Sequence, residues 1–167
     1  MRILQLCCVS NLWHPDHFIE SHDLHTGSDI LSLPLNHGET FDLIVSAPPC
    51  DQFTKANSLN WVIYPDYFIK VARRCFEISV RSGQNWFLEN PPGRIESFLP
   101  ELTPFRTGTW HGSVTNKEYI IYSSFLVLIP YVTRYGKPGS INNLSKAHRE
   151  LWQLDFIDTI AACLPLS

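Results

Sequence analysis

Glycine is missing ahead of Gly27 in this 167-residue chain, and only eight glycines occur in all. A glycine-built loop after the first strand is therefore excluded. Long apolar runs are missing too, because the longest, 125–132, contains Pro130 and is far too short to cross a bilayer. The five cysteines have no CxxC spacing, which favours reduced thiols in a cytoplasm over a disulfide framework.

Composition favours one enzyme-like domain over residues 1–167. Apolar residues make up 44% of the chain and aromatic residues 13%, enough for a sizeable core but not for two full domains. Charged residues are only 17%, which is compatible with an uncovered interface. No signal peptide precedes the first strand pattern, so we expect a cytoplasmic protein with no membrane partner.

Apolar periodicity predicts alternating strands and helices. Strands are expected at 2–9, 41–46 and 85–89, and a helix from Pro65 to about Arg81. Further predictions are a short helix at 94–99, a strand pair at 118–122 and 125–129, and a final helix after Asn142. This alternation indicates an α/β fold with a mostly parallel sheet and helices on both faces.

Cys50 follows two prolines at the end of the second apolar strand. Prolines fix φ near −65° and remove two backbone donors, so the thiol is held in one direction. A cysteine thiolate is a strong nucleophile at modest pKa. Because a cysteine standing alone after Pro-Pro is more often a small buried hydrophobic residue, the interpretation as a nucleophile needs a second motif.

Glu89 and Asn90 supply that second motif at the end of the next strand, after Trp86 and Phe87. The carboxyl ends of parallel strands meet at one edge of a sheet, so an acid and a nucleophile are expected to share one cleft. Burial against Trp86 and Phe87 would raise the pKa of Glu89 and keep a proton on it. Glu-Asn before Pro-Pro-Gly is also compatible with simple turn chemistry.

The paired motifs resemble those of the cytosine-5 DNA methyltransferases, and the small phage-type members in particular. The resemblance implies a single-domain Rossmann-like methyltransferase fold, truncated relative to the family. It implies methyl transfer from S-adenosylmethionine to carbon 5 of cytosine, with Cys50 adding to carbon 6. Glu89 would bond ring nitrogen 3, and Asn90 would orient that carboxylate or shape the loop.

The resemblance also implies a cofactor site and a substrate site. S-adenosylmethionine would be bound by residues of the first half of the chain: Leu6, Asp23, Asp29, Ile30 and Pro48. Pro48 would also shape the pocket for the base. The substrate would be DNA, a single strand or a nucleotide, contacted by Phe53, Thr54, Arg94 and Lys117. Only about forty-five residues follow Tyr122, too few for the family's target-recognition region, so a partner subunit or a homodimer is expected.

The cofactor site departs from the family pattern, since no glycine occurs where family members carry a glycine-rich loop. Either the loop approaches the cofactor differently or the site is lost. The alternative function is a catalytically inactive binding module for a nucleic acid, a nucleotide or a host protein. The histidine-rich segment 14–25 is interpreted as a polar loop and no metal is predicted, although its spacing of three could place two ligands on one helix turn.

Overall fold

A computed structural model describes residues 1–7, 16–50, 65–91, 93, 95–100, 105–107 and 119–125. Their strands form one six-stranded sheet in the order β2-β1-β3-β4-β6-β5. The strands are β1 (Arg2–Leu6), β2 (Phe18–His22), β3 (Leu43–Ser46), β4 (Asn85–Asn90), β5 (Phe105–Thr107) and β6 (Tyr119–Ser123). The described helices are α1 (Pro65–Ser82), α2 (Ile95–Phe98) and three 3₁₀ turns at Leu24–Thr26, Ile30–Ser32 and His37–Thr40.

The sheet is mixed. β2, β1, β3 and β4 are parallel neighbours, with Leu4 opposite Ile44 and Ser46 opposite Leu88. β6 is antiparallel to both β4 and β5. Together with the helices, this sheet establishes an α/β fold.

One face of the sheet packs against α1. Successive side chains of a strand point to opposite faces of the sheet, so buried residues of the two faces alternate along each strand. The core on the α1 face comprises Leu4, Leu6, Ile44, Trp86, Leu88, Ile120 and Tyr122 from the sheet, with Val71, Ala72, Cys75 and Ile78 from the helix. The second face is buried as well, at Ile3, Leu43, Val45, Phe87 and Ile121. Because the described helices pack on the first face, helices on the second face remain a prediction.

α1 begins and ends where the sequence signals predict. Pro65 opens it, a position where its missing N–H is not needed, and Gly83 closes it with φ of +67°.

Close packing brings α1 against the turn that precedes β3. A Cβ on buried Gly38 would meet the Ile44 side chain and lie 3.0 Å from Ser82 Cβ, so only glycine lets these elements approach this closely.

Most of the predicted elements in the described residues are confirmed, with small shifts at their ends. β1 ends at Leu6 rather than Val9, and β6 is the first strand of the predicted hairpin. Its partners among the described residues are β4 and β5, while 126–129 and the final helix lie outside those residues. The described part of the chain contains no helix that combines the length and apolar character needed to cross a bilayer.

Candidate functional site

The two sequence motifs leave the sheet side by side. β3 ends at Ser46 and leads directly into the segment containing Pro48 and Cys50, while β4 ends with Glu89 and Asn90. Because β3 and β4 are parallel neighbours in register, both motifs lie at the same carboxyl edge. The structure thus brings the thiol-bearing turn and the carboxylate-bearing strand end to one place.

A buried hydrogen bond joins the two motifs. Asn90 Nδ2 donates to the carbonyl oxygen of Pro48 at 2.8 Å, and the Asn90 side chain is fully buried. Among the described residues, Asn90 Oδ1 and Ser46 Oγ are buried without a hydrogen-bond partner. Such atoms are rare in folded proteins, so two of them at adjacent strand ends single out this edge as a candidate site.

Glu89 lies on the opposite face of β4 from Asn90. It is 4% exposed and shares its face with the fully buried Phe87. The expectation that Trp86 shields Glu89 is wrong, because the alternation of side chains places Trp86 on the α1 face. There the Trp86 ring packs against Phe76, with ring centroids 5.9 Å apart.

Cys50 is a reduced cysteine that is partly exposed. Pro48, two residues before it, is buried, so the segment is anchored on its strand side while Cys50 is partly exposed. A nucleophile needs this combination, since it must be held in place and yet meet a substrate.

The strand order reverses between β1 and β3, which are neighbours although β2 lies between them in sequence. Ligands of open α/β sheets bind in the crevice beyond the carboxyl ends of the strands at such a reversal. Here the backbone N–H of Ala47 donates to the Leu6 carbonyl at 3.0 Å, extending the ladder up to the crevice. The geometry therefore favours a ligand site next to Leu6 and Pro48.

Asp23 stands at the end of β2, beside this crevice, and is 8% exposed. Its carbonyl accepts hydrogen bonds from the backbone N–H groups of Thr26 and Ser28, each at 3.0 Å, which fix the turn around it. An acidic side chain after the second strand is the group that binds ribose hydroxyls in dinucleotide-binding α/β folds. Asp23 is therefore the described residue at this end of the sheet that could accept hydrogen bonds from ribose hydroxyls.

Cys7 follows β1 directly and has φ of +57°. This left-handed conformation is uncommon for residues other than glycine and costs on the order of 1–3 kcal/mol. Its N–H donates to the His22 carbonyl at 2.8 Å, and its Sγ lies 3.9 Å from Cys75 Sγ. A cysteine therefore takes the left-handed conformation directly after β1, where the family pattern would have a glycine.

The other predicted cofactor residues differ in placement. The Leu6 and Ile30 side chains are buried in the core, and their backbone carbonyls accept hydrogen bonds from the N–H groups of Ala47 at 3.0 Å and Leu33 at 3.2 Å. Asp29 is exposed, and its Oδ1 accepts hydrogen bonds from the Leu31 N–H at 3.0 Å and the Tyr67 hydroxyl at 3.3 Å. Burial, reinforced by the Asp29 charge, raises the pKa of Tyr67 above its ordinary value.

Four predicted substrate residues lie outside the described residues, namely Phe53, Thr54, Arg94 and Lys117. Their contacts with substrate remain predictions.

The sequence interpretation missed Cys7, Ser46 and His37. A positive φ at cysteine leaves no signal in composition, and Ser46 reads as an ordinary strand residue. His37 is brought to β2 by tertiary structure, although the Glu-x-His spacing of Glu20 and His22 was a readable sign that both side chains lie on one face of a strand.

No protein-family model matches the chain, and the curated proteins give no match either.

Proposed function

We propose that this protein transfers a methyl group to carbon 5 of cytosine, with Cys50 as nucleophile and Glu89 as the acid. The observation that supports this most directly is the meeting of the two motifs at one sheet edge, tied by the bond from Asn90 to Pro48. The crevice at the strand reversal, with Asp23 beside it, supports a nucleoside-bearing cofactor next to them.

Cytosine carbon 5 is a weak nucleophile, which explains why both residue types are needed. The Cys50 thiolate adds to carbon 6, and the carbon 5–carbon 6 double bond supplies the electron pair that makes carbon 5 nucleophilic. Glu89 holds a proton at ring nitrogen 3 and so stabilises the negative charge pushed into the ring. Methyl transfer would release S-adenosylhomocysteine, and a water molecule would then take the proton from carbon 5. The electron pair of that C–H bond restores the carbon 5–carbon 6 double bond and expels the Cys50 thiolate.

S-adenosylmethionine, when bound, supplies the methyl group. Among the described residues, the Asp23 carboxylate would hold the ribose hydroxyls, and Pro48 and the backbone at Leu6 would line the crevice. Asn90 acts as a positioning residue, since it holds the carbonyl of the turn that carries Cys50.

The test is methyl transfer from radiolabelled S-adenosylmethionine to double-stranded and single-stranded cytosine-containing DNA. We expect label at cytosine carbon 5 with the wild-type protein and none with Cys50→Ser. Cys163→Ser is the matched control, because it removes a thiol elsewhere in the chain. Retained turnover in Cys50→Ser would refute covalent catalysis.

Calorimetric titration with S-adenosylmethionine separates the enzyme from the inactive binding module. Micromolar binding is expected for the enzyme, about −8 kcal/mol of binding free energy. Absence of heat at millimolar cofactor would contradict the proposed activity and support the binding module.

A further inference from the structure

Three side chains with metal-binding atoms meet at β2, the last strand on this side of the sheet that the described residues form, away from Cys50 and Glu89. Glu20 and His22 lie on one face of β2, and His37 opens the 3₁₀ turn before β3. We call them the histidine–glutamate cluster. One donor atom from each, Glu20 Oε1 and the two histidine Nε2 atoms, lies within 4.8 Å of the others.

Both imidazoles are directed at the same carboxylate oxygen. His22 Nε2 lies 2.8 Å and His37 Nε2 2.7 Å from Glu20 Oε1. Without a cation, each ring donates its Nε2 proton to this oxygen. The two histidines lower the pKa of Glu20, chiefly through the hydrogen bond from His22. Burial of the carboxyl group acts in the opposite direction. The cluster therefore presents two nitrogens and a carboxylate converging on one small volume.

Ser28 prepares His22 for a metal. The Ser28 Oγ lies 2.6 Å from His22 Nδ1, on the far side of the ring from Glu20. A hydroxyl both donates and accepts, so Ser28 serves the ring in either tautomer. Histidines that bind metals almost always hold the second ring nitrogen by such a hydrogen bond, which fixes the ring and the tautomer.

The exposure of the cluster suits an ion with one open position. The side chains are 16% exposed at His22, 25% at His37 and 34% at Glu20. The rings are thus held by their surroundings while the carboxylate reaches solvent, which supplies the remaining ligand. Ring centroids 5.0 Å apart in an edge-to-face arrangement keep the two imidazoles from stacking on each other.

We propose that the histidine–glutamate cluster binds a divalent transition-metal ion of the zinc class through Glu20 Oε1, His22 Nε2 and His37 Nε2. Two imidazole nitrogens and one carboxylate form an established zinc ligand set, and this mixture disfavours magnesium and calcium, which prefer oxygen alone. Donor atoms at about 2.0–2.1 Å from a tetrahedral ion lie about 3.3 Å apart. The Glu20 carboxylate oxygen, now 2.7–2.8 Å from the two nitrogens, would withdraw from each by about half an ångström to reach this separation.

The ion would join the edge strand β2 to the turn that leads into β3. These ligands differ from the sequence-based alternative, in which a spacing of three placed histidines on a helix turn. His22 lies in a strand, where residues two apart share a face, and its partners are therefore Glu20 and a distant histidine. The proposal is independent of methyl transfer.

The test is calorimetric titration of the full chain with zinc chloride, together with the absorption spectrum of the cobalt(II)-loaded protein. We expect one ion per chain, a tetrahedral cobalt spectrum without a thiolate charge-transfer band, and a rise in Tm on adding zinc. Glu20→Gln and His37→Ala should each weaken zinc binding at least tenfold. Ser28→Ala, which leaves all three ligands in place, should weaken it by about 10- to 100-fold.

His17→Ala is the matched control, because it removes a neighbouring histidine outside the cluster and should leave affinity unchanged. Circular dichroism checks that each variant is folded. Absence of zinc binding by the folded wild-type protein would overturn the proposal. The proposal would also be overturned if Glu20→Gln and His37→Ala bound zinc as tightly as the wild-type protein. A thiolate band, which would assign the ion to cysteines, would overturn it too.

Discussion

Asn90 is the residue on which the candidate site depends most, because its backbone belongs to β4 while its side chain holds the turn after β3. The Pro48 carbonyl oxygen lies in a buried part of the chain, where an acceptor left without a donor costs free energy. The Asn90 amide meets that need at 2.8 Å inside the core. Its other atom, Oδ1, is left to accept a further hydrogen bond at the strand end.

Replacing Asn90 by alanine should destabilise the protein by about 1–3 kcal/mol, because the Pro48 carbonyl would remain buried without a donor. Urea denaturation followed by circular dichroism measures the change. Gln84→Ala, at an exposed position beyond α1, is the control and should stay within about 0.5 kcal/mol of wild type. A loss no larger in Asn90→Ala than in the control would show that the bond does not hold the two motifs together.

Tyr67 should ionise at a pH above its ordinary value of about 10. Burial is the larger cause and the Asp29 charge the next, so Asp29→Asn should lower the pKa only part of the way. Because the Tyr67 pKa is higher in the folded than in the unfolded state, its contribution to stability is fully present at pH values below the unfolded-state pKa. This contribution is lost as the pH rises through the folded-state pKa. The difference in phenolate absorbance between wild type and Tyr67→Phe measures the titration. An ordinary pKa would contradict the observed contact.

At the scale of elements, α1 packs on the sheet and also approaches the turn before β3 closely at Gly38. Gly38→Ala should lower the free energy of unfolding by about 1–3 kcal/mol, because the new methyl group would overlap the Ile44 side chain and press on Ser82. Gly83→Ala is the matched comparison, since no atom lies within 4 Å of its added Cβ and only the positive φ opposes the change. That variant should cost about 1 kcal/mol. Equal losses in thermal or urea unfolding would contradict the packing argument.

The elements that the sequence predicted are those whose pattern is decided locally. β3 is a continuous apolar run, and α1 has an apolar stripe between a proline and a glycine. β2 was missed because it is an edge strand with the polar sequence FIESH, in which only pairing with β1 decides the conformation. The strand order of the sheet likewise depends on contacts between distant segments.

At the scale of the whole molecule, the sheet places several independent features on one edge. The reversal between β1 and β3, the acid after β2, and the two motifs after β3 and β4 all face the same side, because the four strands are parallel. The sequence predicted from this rule alone that the two motifs follow neighbouring strands at one edge, while a shared cleft for Cys50 and Glu89 stays a prediction. It could not predict the bond from Asn90 to Pro48, which depends on register, or the left-handed turn at Cys7.

The histidine–glutamate cluster lies on the same sheet but on β2, the outermost strand on its side among the described residues. A bound ion there would stabilise the part of the fold that has the weakest local signal. Zinc binding and methyl transfer are therefore expected to be separable, and a variant lacking His37 should lose the first without losing the thiol-bearing turn.

The most direct test of the central claim is mass spectrometry of the protein incubated with S-adenosylmethionine and DNA containing 5-fluorocytosine. Fluorine at carbon 5 cannot leave as a proton does, so the bond between the thiol and carbon 6 persists after methyl transfer. We expect a covalent adduct on the peptide containing Cys50, lost in Cys50→Ser and strongly reduced in Glu89→Gln. An adduct on another cysteine, or none in a protein that binds the cofactor, would contradict the account.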